Sequence, residues 1–323
     1  MNENAEKVDA SDQIRGQFSW KIIPVALVTA GIMYVLVGHL GDLEEFGEAI
    51  RNAKWEWFSL AIGLMGINLL FGGWRFQVVL KAIGYKLSLR RSIEVLLAVW
   101  PFALVTPSRA NDLLRALALR KRVPMLSCAG SVIAERLIDI QTLCLLGMLG
   151  CAVMGEWLWF GLLLGIWGSE WLTIIILVTA FERVLTIPFV DRFEKKLRAL
   201  FHAFDALRER PKYLVRLVGI SMLAWSSALT NLWLLLWIFN TPLPPEVVLG
   251  FWPLAIFVGI LPMTIGGLGT RDAAFAGLLW TTGWVGAEAA VLAATFSYGL
   301  VTFILPATSG IPFMLRHLWR IDK

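Results

Sequence analysis

Apolar residues come in long blocks along this chain, and polar residues collect in the short joints between them. About 20 apolar residues of helix cross the hydrocarbon core of a bilayer. The pattern therefore predicts six spanning helices, at 20–40, 55–80, 125–154, 157–181, 214–239 and 287–314. Two further apolar regions, 93–120 and 248–282, are interrupted in the middle by helix breakers. Their arms of roughly 10–15 residues rise about 1.5 Å per residue and reach about halfway across a core of about 30 Å. Both read as re-entrant helical hairpins, because backbone leaves the helix at membrane depth only where protein or a water-filled cavity satisfies it. The predicted fold is an all-α integral membrane protein.

The charges in the joints orient the spans. Lys81, Lys86, Arg90 and Arg91 crowd one joint without an acid. Arg115, Arg120, Lys121 and Arg122 crowd another, nine Lys and Arg fall within 182–216, and Arg316, Arg320 and Lys323 close the chain. Basic joints stay in the cytoplasm. The stretch 41–54, with Asp42, Glu44, Glu45 and Glu48 against Arg51 and Lys54, belongs outside, as do the joints at Glu156, Glu246 and Glu288. Both termini are then cytoplasmic, in a bacterial-type inner membrane. The chain divides into a cytoplasmic tail (1–19), a first membrane repeat (20–154, hairpin 93–120), a second repeat (155–315, hairpin 248–282) and a cytoplasmic tail (316–323). Each repeat reads span, span, hairpin, span, in opposite orientations. Such an inverted-topology repeat places a site near the midplane.

Composition agrees with this reading. The chain is 58% hydrophobic and 16% charged, with sixteen tryptophans and a mean hydropathy of +0.69. The net charge of +5 is topological and does not point to nucleic acid. Cys128, Cys144 and Cys151 stand apart in apolar surroundings and read as small core residues; with dispersed histidines they build no metal spacing. No cofactor motif, Walker loop, nucleophile elbow or HExxH occurs. Trp20–Leu40 is followed by a poor cleavage site and reads as a retained first span rather than a signal peptide. Phe193, Leu197, Leu200, Phe204 and Leu207 recur at helical spacing within 191–210, with Lys195, Lys196, Arg198 and Arg208 on other faces. This segment reads as an amphipathic cytoplasmic helix lying in the headgroup layer, either as a connector or as a gatherer of anionic lipid.

Several charges sit where the spans run. Glu135 lies thirteen residues beyond Arg122, about 20 Å into the span. Asp139 is one turn further on the same face, and Arg136 is spaced to pair with it. A charge at that depth costs at least about 2.5–3.5 kcal/mol and faces the bundle interior. Two readings stay open, a polar cavity wall and a buried ion-pair network. The first hairpin turns at Thr106-Pro107-Ser108-Arg109-Ala110-Asn111-Asp112 before Arg115, and the second at Leu261-Pro262-Met263-Thr264-Ile265-Gly266-Gly267-Leu268-Gly269-Thr270 before Arg271 and Asp272. Each turn starts a half-helix whose free N–H groups favour an anion. Gly266, Gly267 and Gly269 permit a sharp bend and close approach of a ligand. The alternative is that Arg115 and Arg271 pair with Asp112, Asp272 or Glu135. Arg75, near the inner end of its span, reads as a snorkelling side chain. Asn68, Asn231 and Glu170 read as interhelical hydrogen-bonding positions. Gly161 and Gly165 offer a packing face, and Pro306 a kink in the last span.

The runs TPSRANDLLRALALRKR, SVIAERLIDI and LPMTIGGLGTRDAAFAGLL, in that order and spacing, resemble the transmembrane region of lysylphosphatidylglycerol synthases, a flippase-like family. The resemblance covers nearly the whole chain and implies a lipid-translocating module. Bifunctional members carry a soluble aminoacyl-transferase domain; this chain is expected to lack it, and aminoacyl transfer is not carried over. Two departures stand out. Ser108-Arg109-Ala110-Asn111 replaces a glycine-containing turn, and Arg271-Asp272 replaces Arg-Glu.

The expectation is a transporter, not an enzyme. It would move an amphiphile with a charged headgroup (a phospholipid, aminoacyl-phospholipid or polyprenyl phosphate) across the cytoplasmic membrane without ATP. Arg109, Asn111, Asp112, Arg115, Glu135, Arg136, Asp139, Thr264, Gly266, Gly267, Gly269, Arg271 and Asp272 are the candidate substrate-binding residues. Membrane lipids are the expected partners, along with a lipid- or glycan-pathway enzyme. Two rivals are a non-transporting scaffold for such an enzyme and an enzyme acting on a lipid phosphate, with Ser108, Ser131 or Thr264 as nucleophile and Glu135 or Asp139 as acid/base.

Overall fold

The apolar blocks become helices of the length a bilayer demands. The structure is a computed structural model that describes residues 43–104, 111–185, 194–261, 263–284 and 288–316, together with residue 31. Among them the α-helices are α1 (Leu43–Arg51), α2 (Phe58–Ala82), α3 (Leu89–Val99), α4 (Leu114–Ala118), α5 (Met125–Met154), α6 (Trp157–Leu185), α7 (Glu194–Glu209), α8 (Pro211–Ile238), α9 (Pro245–Ile260), α10 (Thr270–Thr281), α11 (Glu288–Gly299) and α12 (Leu305–Met314). No strand occurs among the described residues. Five helices are long and apolar enough to cross a membrane: α2 with its leading turn, α5, the first twenty residues of α6, α8, and α11–α12 taken as one. They coincide with five of the six predicted spans; the predicted span 20–40, apart from residue 31, and the tails 1–19 and 317–323 lie outside the described residues. The chain is an all-α integral membrane protein.

Local chemistry sets the helix ends. Ser88 caps α3 by accepting from the Arg91 N–H at 3.3 Å. Pro211 and Pro245 sit in the first turns of α8 and α9, where a missing N–H costs nothing. Gly155 closes α5 in the left-handed region. The last span changes pitch before Pro306: residues Leu300–Ile304 are π-helical and join α11 to α12, consistent with the predicted kink.

The two interrupted regions are short-helix pairs. The helices α3, α9 and α10 have 11, 16 and 12 residues. Those lengths give about 17, 24 and 18 Å, each less than the core thickness of about 30 Å. The first pair differs from expectation. After α3 a 3-10 stretch continues to Leu104, and the returning helix α4 has only 5 residues. The sequence led us to expect a longer arm from the extent of the region 93–120, but the helix ends just before the exposed Arg120, Lys121 and Arg122.

Each pair packs on the closing span of the other half. The helix α3 lies against α12, and α9 against α5. Glycines allow both contacts: Gly310 on α12 faces the Leu97 carbonyl, and Gly150 on α5 faces the backbone of Gly250, so that a Cβ at either position would collide with main chain. The helices α2 and α8 form the central crossing. There Asn68 donates to the Ala224 carbonyl (2.7 Å) and Asn231 donates to the Ala61 carbonyl (3.0 Å), a reciprocal exchange between facing helices.

Two elements differ from the sequence reading. The joint at 41–54 contains α1, which packs on α11. The amphipathic helix α7 has a protein neighbour on its apolar side. It packs on α5, where Gly130 admits the Leu200 carbonyl and Ala203, Ala206 and Leu207 are buried. Leu197, Leu200 and Phe204 of the stripe are half-buried and Leu207 is buried. Gly161 and Gly165 face open space rather than a neighbouring helix of the chain.

Candidate functional site

Two apolar clusters divide the interior. One gathers Leu232, Phe239, Phe251, Trp252 and Phe275, and the other Phe76, Leu80, Leu119, Val132 and Leu217. A polar layer lies between them. The helix α5 carries Glu135, Arg136 and Asp139 into this layer, α2 brings Arg75, the start of the α4 arm brings Asp112 and Arg115, and α8 brings Ser221 and Trp225.

These groups are joined by ion pairs. Arg115 bridges Asp112 (2.6 Å) and Glu135 (2.8 Å). Arg136 reaches Asp139 (3.1 Å) and Asp112 (3.5 Å). Arg75 pairs with Asp139 and approaches Glu135 at 3.9 Å. The Trp225 indole N–H also donates to Asp139 (3.0 Å). Three guanidinium groups thus face three carboxylates and the cluster is formally neutral. Glu135 is 0% exposed and Arg115 3%. Burial at that level is tolerated only because each charge has an opposite partner.

The match is nevertheless incomplete in hydrogen bonds. Nε of Arg75, Arg115 and Arg136, Oδ1 of Asn111 and Oε1 of Glu135 are buried without a hydrogen-bond partner. All of these residues except Glu135 line a cavity of about 130 Å³. The cavity also touches Asp112, Asp139, Asn68, Trp225 and Asn231, and from the second pair Gly266 and Arg271. It has room for a few water molecules or a small headgroup fragment, and its polar lining supplies several partners for either.

The second turn is built differently. Gly266, Gly267 and Gly269 all take positive φ. A Cβ on Gly266 would collide with the Phe303 ring, and one on Gly267 would press on the backbone of Gly259. The bend is as sharp as the sequence implies, but protein rather than ligand makes the close approach. Asp272 accepts from the Gly269 N–H at 2.9 Å and occupies the positive end of α10. Arg271 pairs with Asp272 (3.0 Å) and lies over the rings of Trp252 (4.8 Å) and Tyr298 (5.2 Å). Thr264 is buried and shares a hydrogen bond with Thr270 (2.9 Å).

The structure therefore brings Asn111, Asp112, Arg115, Arg136, Asp139, Gly266 and Arg271 to one cavity, with Glu135 directly behind. Thr264, Gly267, Gly269 and Asp272 shape the second turn and do not line it. Arg109 lies outside the described residues. Arg115 and Arg271 do pair with Asp112, Glu135 and Asp272, and they also face the cavity, so the two alternatives of the sequence hold together. The five-residue α4 is too short to present a helix N-terminus to an anion. Arg75 is a correction: it is 7% exposed and belongs to the cluster, not to the membrane surface. No charge count pointed to it: the first two motifs set three acids, Asp112, Glu135 and Asp139, against three arginines, Arg109, Arg115 and Arg136, and balance without a further cation. Asn68 and Asn231 make the predicted interhelical bonds and also line the cavity.

Among the proposed nucleophiles, Ser131 is fully buried and donates to the Cys128 carbonyl (2.7 Å), Thr264 is held by Thr270, and Ser108 lies outside the described residues. The three cysteines are buried and unpaired with each other. No group of three His, Cys, Asp or Glu able to hold a metal occurs among the described residues.

Comparison with known proteins covers most of the chain. Residues 21–310 match the family described as Lysylphosphatidylglycerol synthase TM region. A UPF0104 membrane protein of Methanothermobacter thermautotrophicus (strain Delta H) is 26% identical over 283 residues, covering 78% of this chain and 82% of that protein.

Proposed function

Because the chain belongs to the lysylphosphatidylglycerol synthase TM region family, we propose that it is a flippase-like transporter for an amphiphile with a charged headgroup, working in the cytoplasmic membrane without ATP hydrolysis. In this reading both short-helix pairs are re-entrant, the two halves form an inverted repeat and both termini face the cytoplasm. The mutual packing of each pair on the other half's closing span supports the repeat. So does the reciprocal Asn68–Asn231 exchange.

One observation carries the proposal: a charge-matched cluster, with guanidinium nitrogens that lack a hydrogen bond, lines a cavity reached by Asn111 and Asp112 from the first pair and by Gly266 and Arg271 from the second. An entering phosphate competes with Asp112 for Arg115 and Arg136, since Asp112 is the acid held by both and sits on the movable arm. Displacing it breaks one of the two ionic links of this arm to α5, Asp112–Arg136, and leaves Arg115–Glu135, while the acyl tails stay in lipid. Phospholipid, aminoacyl-phospholipid and polyprenyl phosphate all carry this group, and an added ammonium would find Glu135 and Asp139 close by.

The test is translocation of headgroup-labelled phosphatidylglycerol, lysyl-phosphatidylglycerol and a polyprenyl phosphate in proteoliposomes. Wild type is expected to move at least one of them, and folded Arg115→Ala and Glu135→Gln to lose most of that rate. A folded wild type that moves none, together with charge-neutralised variants that still support a co-purifying pathway enzyme, would instead identify a scaffold.

A further inference from the structure

The helix α6 carries one acid within its apolar length. Glu170 stands thirteen residues after Trp157 and thirteen before Arg183, so about 20 Å of helix separates it from either end. Neighbouring side chains such as Leu162, Trp171, Leu172 and Ile175 point away from the protein. Glu170 turns inward against α5 and is 9% exposed. Gln141 on α5 donates to its Oε2 at 2.9 Å.

No ion pair among the described residues includes Glu170, whereas Asp112, Glu135, Asp139 and Asp272 all lie against arginines. The groups facing it are few. From α5 they are Gln141 and, one turn on, the Cys144 thiol. A turn or more before Glu170, Trp159, Leu162 and Ile166 of α6 share an apolar pocket with Leu254, Phe257 and Val258 of α9. Glu170 Oε1 and Gln141 Oε1 are both buried without a hydrogen-bond partner. The pair has surplus acceptors and lacks one donor. A proton on the carboxylate supplies that donor and removes an uncompensated charge from the middle of the membrane.

We propose that Glu170 and Gln141 form a proton-binding site at mid-membrane, distinct from the arginine-lined cavity, and that its loading and unloading couple proton movement to transport. Gln141 lies two residues beyond Asp139, about 200° around α5. That one helix thus bears the cavity acids on one face and the partner of the proton site on another. The coupling rests on the transport reading; the proton site itself rests on the geometry of Glu170.

The experiment treats the full-length protein in vesicles with dicyclohexylcarbodiimide, which modifies protonated carboxyls in apolar surroundings, and locates the adduct by mass spectrometry across a pH series. Modification is expected at Glu170, fading as pH rises, absent in Glu170→Gln, and sparing the acids held by arginines. Glu170 left unmodified at every pH, or modification independent of pH, overturns the site. The Glu170→Gln variant keeps an acceptor for Gln141 and so keeps the α5–α6 bond. If Glu170 only clips the two helices, this variant translocates lipid with the wild-type response to an imposed pH gradient, which overturns the coupling. If it couples, that response disappears. Should wild type move no lipid at all, the transport reading and the coupling fall together, while the adduct still decides the proton site.

Discussion

The two interrupted regions begin from the same sequence plan, a breaker with an arginine eight or nine residues past its proline, and these arginines reach opposite solutions. At the first, Arg115 is tied to the rest of the protein by charge, through Glu135 on α5, and Asp112 extends the network to Arg136. At the second, Arg271 takes its ion pair from the adjacent Asp272, and its other contacts are the faces of Trp252 and Tyr298. Glycines hold the turn against Phe303 and Gly259. The arm that follows the first turn is thus secured by partners that a charged ligand can replace, and the second turn by shape that it cannot. Motion during function is expected to concentrate at the first turn.

Removing charge tests that contrast most severely. Arg115→Ala leaves Glu135 and Asp112 with fewer cations in a buried layer and is expected to cost about 3–5 kcal/mol of stability in detergent unfolding. The double variant with Glu135→Gln should recover part of the loss, because both halves of one pair are then gone. Adding volume tests the other side. Gly266→Ala places a Cβ at positive φ against Phe303 and is expected to cost about 3 kcal/mol, from left-handed strain and overpacking together. The smallest effect is expected at Arg271→Ala, about 2 kcal/mol, since Asp272 retains the Gly269 N–H and the helix end as compensation. Equal losses for Arg115→Ala and Arg271→Ala would erase the distinction between the turns.

Much of this architecture was legible in the chain. Five spans follow from block length, Arg136–Asp139 from helical spacing, and the two short-helix pairs from their breakers. The partners across the bundle were not legible. Arg75 looked superficial because position along a helix gives depth but not direction, and its acids stand 60 and 64 residues away. The packing of α2 beside α5 and α8 decides that it points inward. Trp225 escaped for the same reason, since an indole in an apolar run shows no sign of the carboxylate it will meet. The five-residue α4 and the helix α1 depend on where the chain meets a polar surface, which hydropathy marks only coarsely. Residues 105–110, Arg109 among them, lie outside what the structure describes.

The neutrality of the cluster has a consequence for voltage. A membrane potential acts on net charge, with about 2.3 kcal/mol for each elementary charge carried across 100 mV. Three arginines matched by three acids give it nothing to pull when the cavity is empty. A cargo that brings one uncancelled negative charge gives it a handle. On the transport reading, and with Glu170 protonated, the loaded protein feels the field and the empty one does not, so the membrane potential would set a direction for the step with cargo and leave the return indifferent to it.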